Sequence, residues 1–203
     1  MPTITEPDDA RQPRLAFAFP NDWYAFRYDE KNPARLGFYK QRIEKIDGLK
    51  GVDIVAGPQP GFSSLTLLEV KDYRGRALKL RQKLKSGKLQ REILQKALNT
   101  WAALHLGARM QDALLNAALR SAVLRPVERL DFIFFLAEDP IQPSPKASDT
   151  RKEIQNRRSR RLLEEKKLRE KLTPLGIDCR LADVDDLPRR CAWEVAALPS
   201  QRV

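Results

Sequence analysis

The stretch 65-LTLLEVKDY-73 starts as an apolar run and ends with charged residues. Side chains along a β-strand point alternately to the two faces of its sheet, so Glu69 and Lys71 lie on the same face. A strand that starts so apolar is expected inside a sheet, where unpaired charges are costly. A bound cation would account for charges in that place. Taken alone, a Glu-x-Lys pair is more often a weak ion pair on a solvated sheet face.

A second short strand precedes this stretch and carries another carboxylate. The run 50-KGVDIVAGP-58 is followed by a turn rich in Gly and Pro, which predicts a β-hairpin that brings Asp53 close to Glu69. Two carboxylates, the main-chain carbonyl of Val70 and water are hard oxygen ligands that suit Mg²⁺ or Mn²⁺. The ammonium of Lys71 could orient or help deprotonate a metal-bound water and neutralise charge on a phosphate.

The rest of the chain predicts an α/β fold with a mixed sheet flanked by helices. Strong helix formers run from 87 to 119, with a possible break near Gly107, and a near-continuous apolar strand follows at 129–139. Strand, helix and strand in this order predict a right-handed crossover between parallel strands. Residues 1–14 are predicted to be a flexible tail, and 15–203 a single domain with a basic helix at 149–172. Shorter strands are predicted at 15–20, 23–29, 178–184 and 191–198, and a short helix at 33–46.

The composition favours a polyanionic partner. The 203 residues carry a formal net charge of +11, which concentrates polyanions such as nucleic acid around the folded protein. A membrane partner is not expected, because the basic segments lack a bulky apolar face. The first residues lack the layout of a secretory signal, and the longest apolar run, 132–137, is too short to span a bilayer. The sequence therefore predicts a cytoplasmic location.

Two basic segments are the candidate nucleic-acid contacts. The first follows the Glu-x-Lys strand directly, and its candidates are Arg74, Arg76, Lys79, Arg81 and Lys83. The second is 157-RRSRR-161 in the charged helix, where clustered arginines match bidentate phosphate recognition and acid is almost absent nearby; its candidates are Arg157, Arg158, Arg160 and Arg161. A charge-rich helix is as readily a plain solvated surface, so both interpretations of the second segment stay open.

The residues 52-VDIVAGP-58 and 67-LLEVKDYRG-75 together resemble the D…E-x-K signature of the PD-(D/E)XK nuclease superfamily. More loosely, the region from about 20 to 140 is similar to an uncharacterised bacterial subgroup within it. The resemblance implies a restriction-endonuclease-like core, αβββαβ, with Asp53 and Glu69 as ligands of Mg²⁺ or Mn²⁺ and Lys71 at the attacking water. The implied activity is hydrolysis of nucleic acid, with DNA favoured over RNA, in bacterial defence or DNA repair.

Other features of the resemblance are less complete. Many members carry a further Glu on the first helix, for which Glu44 is the best-placed candidate metal ligand, with Asp29 and Glu30 as alternatives. Some carry a Gln followed four residues later by a Tyr, but here Gln95 is followed by Asn99. The alternative hypothesis is a non-catalytic nucleic-acid-binding or accessory subunit. A homodimer, or partner proteins in a larger defence or repair complex, would be compatible with either.

Overall fold

Strands and helices follow one another along the computed structural model, which describes residues 1–7, 14–30 and 37–198. The strands are β1 (Thr3–Glu6), β2 (Arg14–Ala18), β3 (Trp23–Arg27), β4 (Ile54–Pro58), β5 (Ser64–Asp72), β6 (Arg129–Ala137), β7 (Ile177–Ala182) and β8 (Glu194–Leu198). The α-helices are α1 (Ala77–Lys85), α2 (Lys88–Arg109), α3 (Ala117–Val123) and α4 (Ala147–Leu172). A π-helical segment (Tyr39–Ile43) precedes β4, and a 3₁₀ turn (Thr173–Leu175) follows α4. Within these described ranges, no helix combines the length and the apolar character needed to cross a membrane.

Five strands form a mixed sheet in the order β3-β4-β5-β6-β7. The pairs β3–β4 and β4–β5 are antiparallel, whereas β5–β6 and β6–β7 are parallel. The predicted hairpin is confirmed, because Val55 of β4 lies opposite Leu67 of β5. The predicted crossover through the long helix is also confirmed, because Glu69 of β5 lies beside Phe134 of the parallel β6. The α/β class with a mixed sheet and flanking helices is therefore correct.

Both faces of this sheet are covered by apolar side chains. On one face, Leu67 of β5 and Phe134 of β6 pack in a core that includes residues of α2 and α4. On the other face, Phe135 of β6 contacts Phe17 of β2, with ring centroids 5.2 Å apart. A strand covered on both faces needs apolar residues at successive positions. This explains why 132–137 of β6 is one continuous apolar run.

The long helix that crosses from β5 to β6 buries one stripe of its surface. The buried positions recur every three or four residues, as expected for an amphipathic helix, and include Ile93, Ala97, Thr100 and Leu104. The predicted break near Gly107 is confirmed, because α2 ends at Arg109 and α3 begins at Ala117. A Cβ on Gly107 would lie 2.5 Å from the ring of Phe38, so the glycine allows that ring to approach the helix closely. Asn116 then caps α3 by accepting hydrogen bonds from two main-chain N–H groups of its first turn.

The prediction of a flexible N-terminal tail is wrong for residues 3–6. These residues form β1, which pairs antiparallel with β2 so that Ile4 lies opposite Phe17. Strand β8 pairs with the other edge of β2, and the resulting sheet, β1-β2-β8, covers the face of the larger sheet opposite α2. The strand forms because Ile4 packs against the apolar residues between the two sheets. Residues 8–13 of the predicted tail lie outside the described residues.

The order of elements differs in one place from the αβββαβ outline. That outline has a helix before three consecutive strands, whereas the π-helical segment Tyr39–Ile43 lies between β3 and β4. It falls within the helix predicted at 33–46, of which residues 33–36 lie outside the described residues. The predicted basic helix at 149–172 begins two residues earlier, at Ala147.

Candidate functional site

Glu69 lies on the α2 face of β5, at the point where the strand leaves the apolar core. Its side chain is fully buried, with 0% exposure. Leu67 precedes it on the same face within the core, and Lys71 follows it on that face with a partly exposed side chain. The strand therefore carries a carboxylate to the edge of the core and a cation just beyond it, as the alternation predicted.

Two hydrogen bonds beyond the last residue pair of the hairpin hold Asp53 beside Glu69. The main-chain N–H of Asp53 donates to the carbonyl of Leu68 at 3.1 Å, next to the last paired residue of β4. Its carboxylate Oδ2 then accepts from the N–H of Val70 at 2.5 Å. The side chain thus replaces the main-chain acceptor that a longer β4 would have supplied. This bond fixes the Asp53 carboxylate over β5 and leaves Oδ1 for another partner.

Two lysines balance the two acids. Lys71 forms an ion pair with Glu69 Oε1. The ammonium of Lys96, from α2, lies 2.7 Å from Glu69 Oε2 and 3.4 Å from Asp53 Oδ1. We call Asp53, Glu69, Lys71 and Lys96 the carboxylate cluster. Its formal charges cancel, and one ammonium bridges both acids.

Burial and charge shift the proton affinities inside the cluster. Burial, together with the negative charge of Asp53, raises the pKa of Glu69 to about 7, although Lys71 and Lys96 oppose the shift. Burial acts to lower the pKa of Lys96, but the carboxylates of Glu69 and Asp53 outweigh it and raise that pKa above its ordinary value. Lys96 is therefore charged at neutral pH.

Sequence reasoning missed Lys96. It considered Gln95, which is exposed, as part of an accessory motif. Lys96 follows Ile93 by three positions and precedes Thr100 by four, so all three lie on one face of α2. Thr100 is buried and its Oγ1 accepts from the N–H of Val52 at 3.0 Å, which ties this face to the chain beside Asp53. A lysine within the buried stripe of the crossover helix was the signal that could have found it.

The structure does not bring Glu44 to the carboxylate cluster. Glu44 is exposed and pairs with Lys40 one helical turn before it. Within residues 1–7, 14–30 and 37–198, no group of three or more Asp, Glu, His or Cys side chains converges so that it could hold a metal ion. Glu44 therefore lies outside the cluster, because its helical turn points it to solvent, and its role as a third ligand stays a prediction. Asp29, an alternative, is half-buried, and its charge contributes to the raised pKa of Lys96.

The carboxylate cluster lies at a cleft with a volume of about 490 Å³. We call it the basic cleft; its basic lining residues are Lys50, Lys71, Arg76, Lys79, Lys83 and Lys96. Its acidic lining residues are Glu6, Asp53, Asp72 and Glu92. Three of the predicted nucleic-acid contacts, Arg76, Lys79 and Lys83, thus share a cavity with Asp53 and Lys71. The turn after β5 and helix α1 place them there.

Two other candidates of the same segment lie elsewhere. Arg74 forms an ion pair with Asp72 at 2.5 Å and is not among the residues that line the basic cleft. Arg81 lines a second cavity of about 640 Å³, together with Arg157 and Arg160 of α4. Lys79 and Arg81 are two positions apart on α1, which is about half a helical turn, so their side chains point to opposite sides of the helix.

Most of the predicted arginines of α4 are bound to the protein itself. Arg157 donates to the carbonyl of Asp139 at 2.7 Å. The sequence suggested that acid is almost absent near this segment. In the folded protein, however, Glu138 forms ion pairs with both Arg160 and Arg161. Arg161 also lies 3.0 Å from Asp183 Oδ2. We call Glu138, Arg160, Arg161 and Asp183 the arginine cluster. Arg158 is exposed.

Comparisons of the chain with family models, with curated proteins and with solved structures found no match. The likeness to the PD-(D/E)XK superfamily is therefore carried by the residues themselves. Their spatial arrangement is the only further observation that bears on it.

Proposed function

We propose that this chain is a Mg²⁺- or Mn²⁺-dependent nuclease whose centre is the carboxylate cluster. The observation that supports this most is that Asp53 Oδ1 and Glu69 Oε2 both face one positive charge beside a cleft rich in basic residues. Buried carboxylates that converge on one point are a hard-oxygen site for a divalent cation. A basic cleft beside such a site suits a polyanion that carries scissile phosphates.

The residues fit a divalent cation in part. Asp53 and Glu69 would hold it, because each directs a carboxylate oxygen to the same place, and Val70 lines the same cleft. When bound, the cation would supply Lewis acidity toward the phosphate and lower the pKa of a coordinated water. The ammonium of Lys96 stands in the position between the carboxylates, so it must move for this arrangement to form.

The remaining roles follow from charge and position. Lys71 is next to Glu69 and lines the basic cleft, so its ammonium can neutralise charge that grows on a phosphate during hydrolysis. Arg76 and Lys79 are exposed on α1 and the turn before it, where they can bind neighbouring phosphates of the same strand. The N–H of Val70 holds the Asp53 carboxylate in place throughout.

The finer fold assignment belongs to the same proposal. An antiparallel β3-β4-β5 meander, a helical crossover and a parallel β6 support a restriction-endonuclease-like core, with Asp53 directly before the second strand and Glu69 and Lys71 on the third. A cytoplasmic protein acting on DNA in defence or repair, as a homodimer or with partner proteins, is the setting that the sequence resemblance implies.

Cleavage assays test the proposal directly. Purified protein would be incubated with single-stranded DNA, double-stranded DNA and RNA, with Mg²⁺, Mn²⁺ or EDTA. We expect metal-dependent cleavage that falls roughly 100-fold or more in Asp53→Asn, which weakens the hold on the cation, and in Lys71→Met, which removes the positive charge beside the phosphate. Glu44→Gln is the matched control, since it removes an exposed carboxylate outside the cluster. Cleavage that survives in both cluster variants would refute the assignment.

A non-catalytic nucleic-acid-binding subunit is the second candidate. It is favoured by one observation, namely that Lys71 and Lys96 already neutralise both carboxylates without a metal ion. In that case the protein would bind nucleic acid with strong salt dependence and leave it intact with every metal. Glu69→Gln would then leave binding unchanged, whereas metal-dependent loss of the substrate would exclude this candidate.

A further inference from the structure

Lys96 is the residue of the carboxylate cluster that contacts both acids. Its ammonium lies within 3.4 Å of Asp53 Oδ1 and 2.7 Å of Glu69 Oε2. Lys71 by contrast pairs, among the residues that the structure describes, with Glu69 alone, through the other oxygen. The position between the two carboxylates is thus occupied by the ammonium group of Lys96.

We propose that Lys96 is an internal competitor for the divalent cation, and that nucleic acid relieves this competition by drawing the ammonium of Lys96 to its phosphates. Metal and nucleic acid would then bind cooperatively. This inference rests on the proposed function for the identity of the two ligands. It goes further by naming the residue that links one ligand to the other.

The charge balance of the cluster links metal binding to nucleic-acid binding. Two carboxylates and two ammonium groups give the cluster a formal charge of zero, so a divalent cation added to it would leave two positive charges in excess. Glu69 is fully buried and the side chain of Asp53 is 11% exposed, so solvent screens this excess poorly. Phosphates in the basic cleft would supply the missing negative charge. Each ligand therefore increases the affinity for the other by the same factor.

Lys96 is placed where its ammonium can reach a phosphate in the basic cleft. Its side chain is 13% exposed and lines the basic cleft together with Lys71 and Lys79. A lysine carries its charge on a long flexible stem and makes no fixed fork of hydrogen bonds, so its ammonium can move from a carboxylate to a nearby phosphate. An arginine in this place would hold both acids more rigidly. The exchange needs only side-chain rotation on a fixed helix.

The first test measures Mn²⁺ affinity without nucleic acid. The free Mn²⁺ signal in electron paramagnetic resonance would be titrated with wild-type protein, Lys96→Met and Lys96→Gln. We expect both variants to bind Mn²⁺ at least roughly tenfold more tightly than the wild type, since a competing charge next to the site is gone. Lys166→Met is the control, because it removes the same charge from an exposed lysine of α4 that does not line the basic cleft. Its Mn²⁺ affinity should stay within about threefold of wild type, as expected when the lost charge is farther away and screened.

Tighter binding cannot result from a damaged fold, which would weaken the site. Equal or weaker Mn²⁺ binding by both Lys96 variants, or no binding by any protein, would overturn the inference. Thermal unfolding of each variant shows whether it is folded. If neither variant folds, the wild-type measurement below decides the matter.

The second test measures the cooperativity. Mn²⁺ affinity of the wild type would be determined with and without a phosphorothioate DNA oligonucleotide that resists hydrolysis. We expect the oligonucleotide to increase wild-type Mn²⁺ affinity at least roughly tenfold, and that of Lys96→Met by a smaller factor. No increase in the wild type would overturn the inference. The cleavage assay separates this from the nuclease proposal, since cleavage without cooperativity keeps the nuclease, and cooperativity without cleavage keeps the role of Lys96.

Discussion

The carboxylate cluster and the arginine cluster each contain two acidic and two basic side chains, but their surroundings differ. In the arginine cluster, Arg161 of α4 pairs with Glu138 and Asp183 and donates to the carbonyl of Leu136 at 3.2 Å. It therefore fastens α4 to the segments that follow β6 and β7. In the carboxylate cluster, Glu69 is fully buried and its cations are lysines that line an open cleft.

The same set of charges can thus either hold two structural elements together or allow one cation to replace another. Guanidinium groups bind several acceptors in a fixed geometry, which suits a permanent joint between a helix and a sheet. Ammonium groups are mobile point charges, and a buried acid held by them can take a different cation. Whether a cluster holds two elements together or can exchange its cation depends on the type of basic residue and on access to the cleft. The number of charges is the same in both clusters and does not decide this.

The difference between the two clusters should appear most strongly in the pH dependence caused by Glu69. Its pKa is about 7 in the folded protein and has an ordinary value of 4.5. The folded state therefore holds the proton of Glu69 more strongly, so the contribution of Glu69 to stability is largest at low pH and falls as pH rises from about 4.5 through about 7. Because tenfold in proton affinity corresponds to about 1.4 kcal/mol, this contribution reaches at most about 3 kcal/mol.

Urea unfolding of wild type and Glu69→Gln at several pH values from 5 to 8 measures this effect. The glutamine variant cannot release a proton, so the stability of the wild type relative to the variant should decrease as pH rises. A constant difference between the two proteins over that range would mean that Glu69 keeps its ordinary pKa.

The second effect concerns the arginine cluster. Glu138→Gln removes the acid shared by Arg160 and Arg161 and should lower the free energy of unfolding by about 2 kcal/mol, below the value for a fully buried pair because Arg160 is partly exposed. Mn²⁺ affinity should not change. Urea unfolding measures the loss, and the exposed Arg158→Gln serves as the control with an expected change within about 0.5 kcal/mol. If the Glu138→Gln variant kept the stability of the wild type but changed its Mn²⁺ affinity, the two clusters would not differ in the way described.

The smallest effect compares single exposed cations near each cluster. Lys79→Ala in the basic cleft should weaken DNA binding roughly tenfold and reduce the slope of log affinity against log salt by about 1. Arg158→Ala on α4 should change neither quantity. Fluorescence anisotropy with a labelled oligonucleotide over a range of salt concentrations gives both values. If Arg158 proves equivalent to Lys79, then α4 also contacts nucleic acid.

Much of the fold could be predicted because it depends on local patterns. The alternation in β5, the Gly/Pro-rich turn and the continuous apolar run of β6 are readable over fewer than ten residues each, and they predicted the hairpin and the parallel crossover. The meeting of Asp53 with Glu69 follows from the hairpin alone. The three-stranded sheet could not be foreseen, since it joins β1 and β2 to β8 at the other end of the chain.

Local sequence patterns were enough to predict a mixed α/β sheet and a strand that carries Glu69 and Lys71 to the edge of its core, with Asp53 across the hairpin. The cations that those acids meet follow from the tertiary structure. Lys96 is separated from Asp53 by 43 positions, and Glu138 from Arg160 by 22. Charge pairing over such separations depends on how helices pack on the sheet. A short periodic pattern in the sequence does not predict that packing, because the partners come together only when the chain folds.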